Sequence, residues 1–109
     1  MPETAELRRL RHAIDALDRR IVGLLNERAE LARQAGRAKQ AAGRRAIRDP
    51  DRERQVLLRV AIANEGPISQ ATLLAVYRQL FAATRALETR DRDRARATGD
   101  LEPGDDDGD

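Results

Sequence analysis

Arg28 stands where an apolar side chain belongs. Leu7, Leu10, Ile14, Leu17, Ile21 and Leu24 recur at alternating steps of three and four, the period of one stripe on an α-helix, and the next beat of that stripe is position 28. Leu31 and Ala35 resume the pattern, so a guanidinium interrupts a seam that otherwise buries. An isolated buried ion is costly, which leaves three resolutions: a carboxylate across a helix contact, a side chain that snorkels to solvent, or an anion that arrives from outside. Lys39 lies close to three full turns further on, which sets both cations on one helix face with Cα atoms about 16 Å apart. Two long side chains can converge across that gap onto one small anion. In a second stretch Glu53 continues the apolar stripe of Leu57 and Val60, and in a third Thr84 and Glu88 continue that of Tyr77 and Leu80 or Phe81. Such inward polar groups are costly unless they satisfy one another or a ligand fills the space between them.

The elements that must position these groups are helices. The apolar period from Leu7 to Ala38 holds for about nine turns without a proline, which predicts one long helix. Gly43 breaks it. Asp49 followed by Pro50 is a helix start, because the carboxylate caps orphan N–H groups and proline fits the first helical position; this helix is expected to reach Ala63. Asn64, Glu65, Gly66 and Pro67 form a turn signal, and Ser69 caps a third helix expected to end between Leu87 and Arg90. The expectation is an all-α chain of three helices, long, short and medium, spanning residues 1–90. Residues 91–109, alternating in charge and then acidic, are expected to form a solvated tail.

Composition narrows the chemistry. A chain of 109 residues without cysteine forms one domain with neither disulfides nor thiolate metal sites, which suits the cytoplasm. No window approaches the roughly 20 apolar residues needed to cross a bilayer. The only aromatic residues are Tyr77 and Phe81, and 37% of positions are charged, so the core must come from narrow aliphatic stripes. A single small chain of that kind is marginal, and oligomerisation is the natural remedy. The last ten residues carry six acidic groups and no basic one, so a chain of net charge +2 holds +8 over residues 1–99. A positive body favours anionic partners. Nucleic acid is disfavoured among them, because the cations fall on apolar stripes and no aromatic platform is present for bases. His12, beside Arg8, Asp15 and Arg19 on a polar face, reads as a solvated side chain, and no nucleophilic triad or Cys/His metal spacing occurs.

The run LRHAIDALDRRIVGLLNERAELARQAGRAK, followed by IRDPDRERQVL, resembles the all-helical class of chorismate mutases over residues 7–88. The resemblance rests on L-R-x-x-I-D-x-L-D, then E-R-x-x-x-A-x-x-x-G-x-x-K, then R-D-x-x-R-E-R, in the family's order and approximate spacing. It implies an intertwined homodimer of three-helix protomers with two shared sites, converting chorismate to prephenate without metal or organic cofactor. It also implies roles for particular residues. Arg11 and Arg28 match the carboxylate-binding arginines, Lys39 the ether-oxygen lysine, and Asp49 and Glu53 the ring-hydroxyl contacts. Arg52 matches a further basic contributor, Thr84 falls where many members have serine, and Glu88 where many bacterial members have glutamine. One extra residue stands between Lys39 and Asp49 relative to the bacterial pattern. Arg11 and Arg28 are about 25 Å apart along one helix, too far to grip one molecule roughly 10 Å across, so a site that uses both takes Arg11 from the other chain. Rival readings are an enzyme of this fold acting on 4-amino-4-deoxychorismate or isochorismate, and a non-catalytic helical dimerisation module.

Overall fold

The structure, a computed structural model, describes residues 3–44 and 46–99, and these form three helices: α1 (Ala5–Ala41), α2 (Pro50–Ala63) and α3 (Gln70–Ala97). Two compact units divide between Ala32 and Arg33, the first holding most of α1 and the second its last turns together with α2 and α3. No helix among the described residues is long and apolar enough to cross a membrane.

Thr4 opens the first unit, its hydroxyl accepting from the Leu7 N–H at 3.1 Å. The expected stripe is present and uncovered: Leu7, Leu10, Ile14, Leu17, Ile21 and Leu24 are between 39% and 57% exposed. Covering the exposed half of six such side chains is worth on the order of 5 kcal/mol or more, comparable with the whole stability of a small domain. A helix bearing that much uncovered apolar surface calls for another surface against it.

In the second unit α2 packs against α3. Phe81 is the one buried core residue among those described, at 7% exposure, and Tyr77 meets it edge to face at 6.3 Å. The helix ends follow the sequence signals. Asp49 caps α2 by accepting from the Arg52 N–H at 3.2 Å, with Pro50 in the first turn, and Ser69 caps α3 by accepting from the Thr72 N–H at 3.2 Å. At the end of α1, Gly43 takes a left-handed φ of 86°. Its N–H donates to the Gln40 carbonyl at 2.9 Å, while the Arg44 N–H donates to the Lys39 carbonyl at 2.8 Å. This is a Schellman closure, and it anchors the turn that carries Lys39.

The third helix departs from expectation: it does not stop between Leu87 and Arg90 but runs to Ala97, so residues 91–97, read from the sequence as the start of a solvated tail, are helical. Residues 100–109 lie outside the described residues. The physical reason is a tertiary ion pair. Arg33 donates through Nε and Nη2 to the two oxygens of Asp91, at 2.8 and 3.0 Å, a bidentate geometry that ties the extension to the end of α1. The Arg33 hydrogen bond holds the Asp91 carboxyl below its usual 3.8, with Arg94 and Arg37 adding to the effect against burial. A depressed carboxyl contributes stability that is complete above 3.8 and lost as the pH falls through its folded value. Arg33→Ala is expected to cost about 1 kcal/mol and to speed amide hydrogen exchange selectively over residues 92–96. Unchanged protection there would show that the extension holds itself.

Candidate active site

Lys39 and Glu88 come together within the second unit. Glu88, half-buried on α3, lies against Gly36 of α1: a Cβ built on Gly36 would stand 2.6 Å from the Glu88 Oε2. The missing side chain at position 36 is what lets the carboxyl approach the helix one turn before Lys39. Burial pushes the Glu88 carboxyl above its usual 4.5; the Lys39 ammonium opposes that shift, Asp91 reinforces it, and Arg85 opposes it. Such a pair can present two hydrogen-bond donors only when the carboxyl is protonated, which burial favours and the ammonium opposes.

A second cluster lies between α2 and α3. Glu53 continues the α2 stripe as expected, and α3 supplies its partner: Arg85 Nη1 donates to the Glu53 Oε2. Arg48 brings its Nε to 3.9 Å from the other carboxylate oxygen. These groups line an open recess of about 240 Å³, whose apolar wall includes Leu57 and Phe81.

Asp49, besides capping α2, lies 3.5 Å from the Arg44 guanidinium. Arg52 is exposed and its Nη1 is 3.5 Å from the Gln55 Oε1. Thr84 is half-buried and its hydroxyl donates to the Leu80 carbonyl at 2.9 Å, which leaves the oxygen lone pairs to accept. The two arginines expected to hold carboxylates belong to the first unit. Arg28 is half-buried there, whereas Arg11 is exposed and donates through Nη1 to the Glu3 carboxylate. Among the described residues no group of three or more His, Cys, Asp or Glu side chains could hold a metal ion.

One residue of these clusters, Arg85, escapes the sequence reading, while Arg48 and Gly36 enter it only as motif positions without a stated contact. Arg85 was legible in principle, since it falls four residues after Phe81 on the rhythm that led to Thr84 and Glu88. Arg48 sits just ahead of the Asp49 cap, and nothing in its spacing points at Glu53. Gly36 is the glycine of E-R-x-x-x-A-x-x-x-G-x-x-K, and the approach of Glu88 supplies the physical reason for a glycine there.

The profile of the family described as chorismate mutase type II matches residues 10–89. The chain is 35% identical over 92 residues to the bifunctional chorismate mutase/prephenate dehydratase of Stutzerimonas stutzeri, covering 81% of this chain and 25% of that one. It is 37% identical over 89 residues to the protein of the same description from Aquifex aeolicus, covering 78% of this chain and 24% of that one. It thus spans about a quarter of the length of these curated relatives. Among solved structures, chorismate mutase form II from Thermus thermophilus superposes with a TM-score of 0.74 at 32% identity, over 78% of this chain and 96% of that one.

Proposed function

The chain belongs to the chorismate mutase type II family, and on that footing we propose that it converts chorismate to prephenate as a homodimer with two shared sites. The rearrangement breaks an ether C–O bond while a C–C bond forms in the same molecule, so the protein needs no nucleophile, metal or organic cofactor. It has two tasks. It holds a flexible dianion in its compact reactive conformer, and it stabilises negative charge that develops on the ether oxygen.

In this reading Arg28 and the partner subunit's Arg11 clamp the two substrate carboxylates, Arg11 exchanging Glu3 for substrate. Bidentate pairing supplies orientation as well as attraction. Arg52 adds positive potential, and Thr84 offers its hydroxyl at the edge of the site. Lys39 and a neutral Glu88 donate to the ether oxygen. Asp49 and Glu53 accept from the ring hydroxyl; Glu53 has lone pairs left for this even while Arg85 and Arg48 engage it. The uncovered leucine and isoleucine stripe of α1 supports the homodimer, since a second copy of α1 offers a matching apolar surface.

The observation that carries the proposal is the approach of half-buried Glu88, its pKa raised by burial, to the turn of α1 that carries Lys39, a pair able to donate to one oxygen when Glu88 is protonated. The test is a spectrophotometric assay of chorismate loss by the purified protein, with isochorismate assayed alongside. Chorismate is expected to be consumed and prephenate to appear. Absence of turnover would overturn the reading, and pyruvate release from isochorismate in its place would redirect it.

A further inference from the structure

The charge around Glu53 bears on which ring substituent the site accepts. Glu53 is the only acidic side chain among the described residues lining the α2/α3 recess, and Arg48, Arg54, Arg78 and Arg85 line it as well. The Glu53 side chain is 19% exposed and its Arg85 partner 30%. Arg85 donates to one carboxylate oxygen, and Arg48 faces the other at 3.9 Å. A carboxylate standing alone attracts an ammonium far more strongly than a hydroxyl. Here its charge is already compensated, and an arriving ammonium meets guanidinium groups beside the apolar wall of Phe81 and Leu57, where screening is weaker than in bulk water. A neutral hydroxyl meets no such repulsion and needs only a free lone pair.

We propose that Arg85, assisted by Arg48, makes Glu53 selective for a neutral hydroxyl over an ammonium at the C4 position of the substrate ring. The inference rests on the mutase reading and deepens it: Arg85 is a positioning and specificity residue, acting through Glu53. Discrimination of this kind depends on a repulsive group for the wrong ligand as much as on an attractive one for the right ligand.

The test compares kcat/KM for chorismate and for 4-amino-4-deoxychorismate at neutral pH on the unmodified protein, Arg85→Ala and Arg85→Lys. Both substrates are measured on the same sample, so a partly inactive preparation leaves the ratio unaffected. The unmodified protein is expected to prefer chorismate. Arg85→Ala should shift the ratio roughly tenfold toward the amino substrate, and Arg85→Lys, which keeps the charge, should restore most of the preference. If Arg85→Ala does not fold, Arg48→Ala should move the ratio in the same direction by a smaller factor. Turnover of chorismate with a ratio indifferent to these changes overturns the inference alone. Turnover of neither substrate by the unmodified protein overturns the mutase reading and the inference with it.

Discussion

Replacing Lys39 with alanine is expected to lower turnover by two or more powers of ten while leaving the fold in place. The size follows from the proposed role: removing one preorganised donor to a developing oxyanion typically costs about 3 kcal/mol or more. The fold survives because Lys39 contributes its backbone carbonyl, not its side chain, to the Schellman closure with Arg44, and alanine is the best helix former. The loss should therefore appear in kcat, with an unchanged helical circular dichroism spectrum. Loss of ground-state binding alone, seen as a raised KM at normal kcat, would place Lys39 outside the reacting centre. Near-normal turnover would remove it from the site altogether.

The second large effect belongs to Glu88 and depends on pH. An ionised carboxylate cannot donate a hydrogen bond, so the proposed role requires Glu88 in its protonated form. In the free protein its pKa is raised by burial and by Asp91, against Lys39 and Arg85, and a bound dianion beside it pushes in the same direction as burial. The sign is fixed: activity is greatest below the folded pKa and falls as the pH rises through it, by about tenfold per pH unit in the limit where only the neutral form works. Glu88→Gln carries a permanent donor in the same place and should flatten that decline, overtaking the unmodified protein at alkaline pH. Superimposable pH profiles for the two proteins would exclude Glu88 as a donor.

Helix starts were the most legible part of this chain. Asp49 with Pro50, and Ser69 after a Gly-Pro turn, are local signals whose hydrogen bonds appear in the structure as the sequence implies. The apolar stripe from Leu7 to Leu24 was equally plain, because periodicity depends on nothing outside the helix. What local reasoning missed depends on partners distant in the chain. The extension of α3 to Ala97 rests on Asp91 meeting Arg33, and the surroundings of Glu53 on Arg85; neither pairing follows from spacing along one helix. For the same reason periodicity could flag Lys39, Glu53 and Glu88 as polar groups on inward stripes without saying which of them meet. Their proposed roles come from the motif match, and the structure adds the contacts around Glu88 and Glu53.

A site shared between two chains can be tested by mixing two variants, each of which is inactive alone. Arg11→Ala and Lys39→Ala remove groups that, in this account, serve one site from opposite subunits. Unfolded together in equal amounts and refolded, they form mixed dimers in which one site has lost both groups and the other has lost neither. Recovery of about a quarter of the unmodified activity is expected from random pairing. A mixture no more active than either variant alone would contradict the claim that each site draws Arg11 from the neighbouring chain.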